Sequence, residues 1–418
     1  MKLANQIKIL VVVESIDVED SSGSKANVAL IENLHKEGFE LLVLHYTRKE
    51  IFLPGIKCVA IKEKKWNYLY FLSRSQRRIQ NDLKIIINKP LENTFGFSFT
   101  FFNDSKSIAE SIKNCEFEPD LVLSLSKGAS FRPHHALLKL PELHAKWLAY
   151  IHDPYPFHYY PEPYQWSEPG FKEKISFFSE VSSKCKWAAF PSLFLKEWMT
   201  RKYPYFEKKS IIIPHQLAKK EFSEGTLPDF FDPKKFSLLH AGNLMKQRSP
   251  LPLLISYQKF LKQNPEAAQK SQLILLGNAD YYTKRLQELE DQVDSLYISD
   301  GNVKFDIVLR LQKKVSVNII LESEANDSPF LPGKFPHCLK ANKTILFLGP
   351  QKSEVNRLLG VEYPFKTEAN NIEKTVELLQ KLYNIWLKDP VDLKLNRPDL
   401  LNYFSSNRLK DIILKMVI

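Results

Sequence analysis

The feature that most constrains the fold is a series of short, continuously apolar runs that each end in polar or turn-forming residues. The first run occupies residues 9–13. A small-residue loop, a helical pattern that ends at Gly38, and a second apolar run at 41–44 follow it. Such alternation is typical of parallel strands that are buried on both faces and connected by helices. The sequence therefore predicts an α/β fold built on doubly wound parallel sheets.

This alternation occurs twice along the 418 residues, a length that suits two domains. Strands are predicted at 9–13, 41–44, 121–125, 147–151, 188–190 and 211–213 in the first series, and at 236–240, 273–276, 303–305, 315–321 and 344–348 in the second. Helices of the second series are predicted at 251–261, 281–293 and 372–388. We predict two Rossmann-like domains in tandem, over 1–218 and 236–395, a linker over 219–235, and a final helical segment over 396–418.

The composition is that of a globular chain. Hydrophobic residues make up 44% and charged residues 26%, which excludes intrinsic disorder and a small disulfide scaffold. The longest apolar run near the start, 9–13, is far shorter than a membrane span, and no cleavage site for a signal peptide follows it. The four cysteines have neither zinc nor redox-motif spacing. We expect a soluble, cytoplasmic protein with reduced cysteines.

A basic and aromatic segment, residues 62–89, is where the positive net charge of +11 is densest. Cations near lipid phosphates and aromatic rings at headgroup level are typical of an anionic membrane surface. The residues that we assign to the acceptor or the membrane are Lys64, Lys65, Trp66, Arg74, Arg77 and Arg78. A solvated helix face whose aromatic residues turn into the core is an equally good interpretation. No nucleic-acid-binding module accompanies the segment, so we predict no nucleic acid partner.

In the first series, a predicted strand ends in His152 and Asp153 and runs into an aromatic, proline-rich loop that contains Tyr155. Histidine is the usual proton shuttle near neutral pH, and aromatic rings stack on sugars. A histidine that only makes a hydrogen bond at a strand end is the commoner situation. Ligands of doubly wound sheets bind outside the carboxyl ends of the strands. We therefore predict that several polar segments lie together at this edge of the sheet and form one candidate rim. These are 14–25, Ser126, 152–153, Ser192 and His215.

In the second series, a glycine-containing turn follows the first strand and precedes a helix. Gly242 allows a close approach of the backbone, while Lys246 and Arg248 place two cations near the start of that helix. Backbone N–H groups and the helix dipole favour an anion at the same place, for example a diphosphate. Basic residues in loops are more often simply solvated.

A proline-rich loop, residues 328–337, follows the strand at 315–321 and the polar turn at 322–327. Backbone N–H groups around Gly333 and Lys334 are placed to cap a phosphate, and His337 is placed to reach a ribose hydroxyl or a phosphate. The alternative is that the prolines only rigidify the connection and that His337 is a surface residue.

The order and spacing of these segments resemble the two-domain GT-B glycosyltransferases, specifically family 4, the glycosyl transferases of group 1. The resemblance covers nearly the whole chain and rests on the opening run with its loop and helix, and on residues 119–124, 191–192, 213–215, 239–244, 332–335 and 342–346. The chain departs from the family in three places. Gly242-Asn243 replaces Gly-Arg, Pro329 and His337 replace the pair of glutamates in Glu-x7-Glu, and Gly23 alone replaces a glycine pair.

The resemblance implies a hexosyltransferase-like enzyme of bacterial surface polysaccharide synthesis. Its donor, a UDP- or GDP-sugar, is held by the second domain, and its acceptor, a glycan or a lipid-linked sugar, is held by the first. From the basic and aromatic segment we expect an acceptor at a membrane surface, and therefore a cytoplasmic protein at the inner face of the membrane with peripheral contact to anionic lipid. The resemblance also implies retention of anomeric configuration, no required metal or cofactor, and a last helix that crosses back to the first domain.

The resemblance further implies roles for individual residues. Lys246 and Arg248 form a basic clamp on the diphosphate, and His152 lies beside the transferred sugar with Asp153 fixing its tautomer. The donor-binding residues are Gly242, Asn243, Gly277, Glu322, Glu324, Gly333, Lys334 and His337, and Tyr155 contacts the acceptor. Two alternatives stay open at this point, namely a sugar-nucleotide epimerase of the same architecture and a non-catalytic partner subunit that retains the fold.

Overall fold

The computed structural model describes residues 7–82, 84, 88–156, 167–218, 225–279 and 281–417. These residues form two compact units. The described residues of 7–218 together with 404–417 make the first unit, and those of 225–403 make the second. Each unit contains a parallel sheet with helices between successive strands, which confirms the predicted α/β fold class.

The first unit is built on a seven-stranded parallel sheet of order β3-β2-β1-β4-β5-β6-β7. The strands are β1 (Lys8–Val13), β2 (Glu40–His45), β3 (Lys57–Ala60), β4 (Leu121–Leu125), β5 (Trp147–Tyr150), β6 (Trp187–Phe190) and β7 (Ser210–Ile212). The order reverses at β1, which pairs with β2 on one side and β4 on the other. The carboxyl ends of β1 and β4 therefore flank the crevice in which sheets of this kind bind ligands.

Among the described residues before 218, the first unit has seven α-helices. They are α1 (Ser22–Lys36), α2 (Tyr68–Asp82), α3 (Asn88–Phe95), α4 (Phe99–Lys113), α5 (Arg132–Leu137), α6 (Phe171–Lys184) and α7 (Leu193–Lys202). The side chain of Ser21 accepts a hydrogen bond from the Ser24 N–H and so caps α1. Apolar clusters fill both faces of the sheet, and Val28, Ile31 and Leu34 of α1 lie in one of them.

The second unit contains a six-stranded parallel sheet of order β10-β9-β8-β11-β13-β15, and a separate pair of short strands, β12 and β14. The strands are β8 (Phe236–Ala241), β9 (Ser271–Leu276), β10 (Leu296–Ile298), β11 (Val317–Leu321), β12 (Asp327–Ser328), β13 (Thr344–Leu348), β14 (Lys352–Ser353) and β15 (Lys366–Thr367). The strand predicted at 303–305 is wrong. Phe305 begins a helix instead, because it belongs to the helical pattern of the residues that follow.

The helices of the second unit are α8 (Leu251–Gln263), α9 (Pro265–Lys270), α10 (Thr283–Glu290), α11 (Phe305–Lys314), α12 (Phe335–Ala341), α13 (Glu354–Leu359), α14 (Ile372–Lys388) and α15 (Pro398–Tyr403). The helix predicted at 281–293 is shorter at both ends than expected, whereas the one predicted at 372–388 is confirmed. One large apolar cluster, which includes Tyr257, Phe260 and Leu379, joins α8 and α14 to the sheet.

The last helix, α16 (Ser406–Val417), belongs to the first unit and packs against α1. Leu409 and Ile413 lie one turn apart on its buried face, in the same apolar cluster as Ile31 and Leu34. The predicted return of the final helix to the first domain is therefore confirmed. Within the described part of the chain, no helix is both long enough and apolar enough to cross a membrane.

Candidate functional site

The loops that follow β8 and β9 hold each other at the carboxyl edge of the second sheet. The Gly242 N–H donates to the Leu276 carbonyl at 2.7 Å, and the Asn278 N–H donates to the Asn243 side-chain oxygen at 3.2 Å. Gly277 has a φ of +131°, and a Cβ there would lie 2.7 Å from the carbonyl group of Gly242. Asn243 and Gly277, both predicted to contact the donor, thus serve to join the two loops.

Two cationic side chains meet a buried histidine at this edge. The Lys334 Nζ lies 3.0 and 3.3 Å from the two ring nitrogens of His240, the next-to-last residue of β8. A Cβ at Gly242 would lie 3.3 Å from the same ammonium group, so glycine leaves room for it. Burial, and then the charge of Arg248, lower the pKa of Lys334 to about 7. Burial, Lys334 and Arg248 lower the pKa of His240 well below 6.5.

His240 is therefore neutral near pH 7 and accepts a hydrogen bond from Lys334. A neutral His240 does not offset the positive charges of Lys334 and Arg248. The sequence interpretation missed His240, because it treated the residue only as the end of an apolar strand. Its place directly before the glycine turn is the signal that could have identified it.

Glu322 follows β11 directly, and its side chain is only 2% exposed. Among the described residues, the side chain of Ser328 is a hydrogen-bonding neighbour of this carboxylate, but neither the two carboxylate oxygens nor the Ser328 hydroxyl has a well-formed hydrogen bond. Burial raises the pKa of Glu322 to about 7, against the opposing effects of the Ser328 side chain, Arg248 and Lys334. Buried polar atoms are nearly always paired, so unpaired ones at a ligand-binding edge indicate the place of a bound group.

The other residues that are predicted to bind the donor differ from these in exposure and in contacts. Lys246 is exposed, and its ammonium group lies 5.7 Å from the ring centre of Tyr281. His337 is only 8% exposed and its ring packs against Phe305. The alternative that His337 is a surface residue is therefore wrong, and its contact with the donor stays a prediction. Glu324 is half-buried.

At the starts of α12 and α8, some backbone N–H groups are already used within the protein. The Phe335 N–H donates to the Pro332 carbonyl at 2.9 Å, and the Leu251 N–H donates to Ser249 Oγ at 3.3 Å. The second residue of each helix is a proline, which has no N–H. An anion held by the N–H groups around Gly333 and Lys334 stays a prediction.

At the carboxyl edge of the first sheet, His152 Nε2 lies 2.9 Å from the side-chain oxygen of Asn27. The Asn27 amide nitrogen donates to the carbonyls of Ser15 and Ser126 at 3.3 and 3.0 Å, so its oxygen must accept and Nε2 must carry the hydrogen. Burial, followed by the neighbouring His215 and His134, lowers the pKa of His152 well below 6.5.

His152 is therefore neutral near pH 7, and its buried Nδ1 is an acceptor that has no hydrogen-bond partner in the part of the chain that the structure describes. The prediction that Asp153 fixes the tautomer is wrong, because Asn27 does so. The ring of His215 stacks at 5.8 Å from that of His152, so the structure brings these two members of the predicted rim together. Ser192 instead caps α7 by accepting from the Leu195 N–H.

A polar cavity of about 620 Å³ opens beside this edge, in the first unit. Arg132 lies inside it and makes ion pairs with Glu14 Oε1 at 2.6 Å and Asp104 Oδ2 at 3.0 Å. Asp104 also accepts from the Tyr46 hydroxyl at 2.8 Å and from Arg48 at 2.9 Å. The remaining lining residues include Asp17, Asp20, Lys49, Arg77 and Lys127. Carboxylates and cations in such alternation offer both acceptors and donors to a hydroxylated ligand.

The predicted acceptor and membrane residues divide into three groups. Lys64 pairs with Glu110 at 2.5 Å and Arg74 with Glu63 at 2.8 Å, so both cations are bound within the protein. Arg77 lines the cavity.

Lys65, Trp66 and Arg78 are exposed. Tyr155 is 1% exposed in the core against Phe131 and Phe178, so its predicted contact with the acceptor is wrong. Among the described residues, no three His, Cys, Asp or Glu side chains converge in the manner of metal ligands.

Two doubly wound units with the last helix packed on the first define the GT-B class of fold, and known structures of that class are similar to this chain. Trehalose-6-phosphate synthase OtsA has a TM-score of 0.64 and 9% identity over 98% of both chains. An α,α-trehalose-phosphate synthase (UDP-forming) from Burkholderia vietnamiensis has a TM-score of 0.63 and 10% identity over 98% of this chain and 97% of its own.

HepE from Anabaena, in complex with UDP and glucose, has a TM-score of 0.57 and 11% identity over 98% of this chain and 99% of its own. No protein-family model matches the chain, and no curated sequence is significantly similar to it. The structural similarity establishes the GT-B fold.

Proposed function

We propose that the protein is a glycosyltransferase that moves a sugar from a nucleotide-sugar donor to a glycan or lipid-linked acceptor. The observation that carries the proposal is that Arg248 and Lys334 lie near enough to the buried carboxylate of Glu322 to lower its pKa, at the carboxyl ends of β8 and β11. Sheets of this kind bind their ligands at that edge. The complex of the similar HepE with UDP and glucose supports a nucleotide sugar as the ligand.

The diphosphate of the donor fits the two cations. Arg248 is permanently charged, and a diphosphate beside Lys334 raises the pKa of that ammonium from about 7, so that binding charges it fully. As the bond to the sugar breaks, negative charge grows on the leaving diphosphate, where these groups stabilise it. Each such donor typically contributes about 2 to 4 kcal/mol to the transition state. Lys246 is an outer member of the basic clamp that these cations form around the diphosphate.

The carboxylate of Glu322 fits hydroxyl groups of the donor. Its two oxygens are buried acceptors without a well-formed hydrogen bond to the described residues, and a pair of neighbouring hydroxyls on a ribose or a hexose supplies two donors. Binding would thus remove the penalty that burial now places on the charged carboxylate. Ser328 offers a hydroxyl to the same ligand.

In the first unit, the polar cavity around Arg132 takes the sugar of the acceptor. The unprotonated Nδ1 of His152 accepts a hydrogen bond from a sugar hydroxyl. With so low a pKa, His152 is a weak base, which favours a reaction in which no protein group removes the proton of the acceptor.

We therefore extend the proposal, with the resemblance to family 4, to retention of configuration. On the same resemblance we propose a metal-independent reaction in which side-chain cations serve the diphosphate, and a hexosyltransferase role in bacterial surface glycan synthesis.

A two-stage experiment tests this function. Thermal-shift measurements with a panel of UDP- and GDP-sugars identify the donor, since a ligand that binds the native state raises the unfolding temperature. Product analysis by NMR then follows the donor with and without oligosaccharide or lipid-linked acceptors. Acceptor-dependent release of nucleoside diphosphate with a retained anomer supports the proposal. Isomerised donor without acceptor indicates the epimerase instead. Binding without turnover indicates a non-catalytic subunit, and no binding by any nucleotide sugar refutes the proposal.

A further inference from the structure

Helix α2 has its apolar side turned away from the protein. Its buried residues are Ser73 and Gln76, whereas Tyr68, Phe71 and Leu72 are 67%, 52% and 39% exposed. The three exposed residues recur at helical spacing and form one stripe. A surface helix of a globular protein normally buries such a stripe and exposes its polar side. We therefore expect the exposed apolar stripe of α2 to contact a partner that is not part of the described chain.

Trp66 extends this stripe at the start of the helix. The side chain is 85% exposed, and its ring contacts that of Phe71 edge-on at 6.2 Å. Its backbone has a φ of +62°, a conformation that bulky residues seldom adopt. We call Trp66, Tyr68, Phe71 and Leu72 the α2 face. A contiguous exposed apolar surface of this kind marks an interaction site.

Cations surround the α2 face. Lys62, Lys65 and Arg78 are exposed, and the ammonium group of Lys106 lies 5.8 Å from the ring centre of Tyr68. Nearby Glu63 is neutralised by Arg74, and Asp82 lies at the far end of the helix. The partner must therefore combine an apolar interior with negative charge at its surface.

We propose that the α2 face docks on an anionic phospholipid surface. Aromatic side chains enter such a surface at headgroup level, while the surrounding lysines and arginines contact lipid phosphates. A second copy of the chain is a poor occupant, because it would bring a second ring of cations against the first. The docking does not depend on the proposed enzymatic activity, and it is measured separately from donor binding.

Docking in this way has a consequence for the acceptor. Arg77 belongs to the same helix and lines the polar cavity of the first unit. Contact of α2 with lipid would therefore bring that cavity near the headgroups, where the sugar of a lipid-linked acceptor lies. This consequence rests on the proposed function, whereas the docking itself does not.

Vesicle co-sedimentation of the full chain tests the docking. The probes are vesicles of phosphatidylcholine with phosphatidylglycerol, and vesicles of phosphatidylcholine alone. We expect binding to the first at low salt and its loss at high salt. The double variant Lys65→Gln/Arg78→Gln should bind about 25-fold more weakly, about fivefold for each basic residue lost. Arg201→Gln/Lys208→Gln, a matched pair elsewhere on the first unit, should bind as the unchanged protein does.

The apolar part is tested with Trp66→Ala/Phe71→Ala against Tyr205→Ala, since all three residues are more than half exposed and their loss leaves the core intact. We expect about tenfold weaker partitioning for the double variant only. Lipids brominated in the acyl chains should quench tryptophan fluorescence of the unchanged protein more than that of Trp66→Phe.

Equal binding by all variants, or no binding to anionic vesicles at low salt, overturns the proposal. So does a soluble oligomer that the double variant disrupts, because the α2 face would then contact protein. Donor binding measured on the same variants should be unchanged, which separates a failure of the docking from a failure of the proposed function.

Discussion

Replacing Lys334 by methionine should stabilise the protein while it weakens donor binding. Burial and the positive charge of Arg248 lower the pKa of Lys334 from its ordinary 10.5 to about 7. The charged, protonated form of Lys334 is therefore less favourable in the folded state than in the unfolded chain. Methionine keeps much of the side-chain volume and removes this energetic cost, so the free energy of unfolding should rise.

The depression of the pKa sets an upper limit of about 5 kcal/mol on this gain. Partial exposure of the side chain screens the charge, and loss of the hydrogen bond to His240 costs about 1 to 3 kcal/mol. We expect a net gain of about 2 kcal/mol, or about 4 to 8 °C in the unfolding temperature of a unit of this size. Donor affinity should fall about 10- to 100-fold with the lost charged contact.

The dependence of this gain on pH follows from the direction of the shift. Below pH 7 both states of the unchanged protein carry the proton on Lys334, so the destabilisation is complete there. Between pH 7 and 10 the folded state releases the proton first, and the destabilisation shrinks. Urea unfolding at pH 6.5 and 9.5 measures both values, with Lys284→Met, at an exposed position of α10, as the control. A lower stability of Lys334→Met than of the control at pH 6.5 would refute this reasoning.

Three further predictions concern the loops and the first unit. Gly277→Ala should destabilise the protein by about 2 to 4 kcal/mol in urea unfolding, because its Cβ would meet the backbone of the β8 loop. Gly333→Ala, with open space at its Cβ, should have little effect. Equal effects of the two substitutions would contradict the close approach of the loops. Arg132→Met should cost about 3 to 5 kcal/mol in the same assay, because it leaves the buried carboxylate of Glu14 without its cation and Asp104 with Arg48 alone, and a neutral result would contradict that ion-pair network. Asn27→Asp should raise the pKa of His152 in an NMR titration of the ring, and an unchanged pKa would show that their contact does not form.

The buried strands could be predicted from the sequence because both faces of each are covered, which leaves a continuous apolar run. The prediction failed where that condition is absent. β3 lies at the edge of its sheet with alternating exposure, so Lys57–Ala60 shows no such run. At 303–305 three residues were too few to separate a strand from the start of α11.

The proximity of Glu322, Arg248 and Lys334 could be predicted because all three follow strands of one parallel sheet, at the same edge. Their contact with a donor stays a prediction. The place of His240 before the glycine turn could have marked it as a residue of this edge. Its contact with Lys334 could not be predicted, because only the folded chain brings the two side chains within 3.0 Å.

The cavity of the first unit was predicted only in part. Its lining residues between 14 and 20 belong to the predicted rim, and Arg77 was assigned to the acceptor or the membrane, whereas Asp104 and Arg132 were not identified. Its ion pairs join Glu14, Asp104 and Arg132, which follow a strand, lie within α4 and begin α5 respectively. Helix interiors carry many such residues, and spacing along the chain does not reveal which of them converge. Likewise, the exposed side of α2 was predicted only as one of two alternatives, because periodicity shows that a helix has two faces but not which face is inside.

The central claim is that the side chains of Arg248 and Lys334 hold the diphosphate of a nucleotide sugar. Isothermal titration of the nucleoside diphosphates UDP and GDP into the unchanged protein and into Arg248→Gln/Lys334→Gln tests it most directly. We predict measurable affinity of the unchanged protein for at least one of them and a loss of about 100-fold or more in the double variant, with Lys284→Gln unaffected. Equal affinity of the double variant and the unchanged protein would contradict the claim.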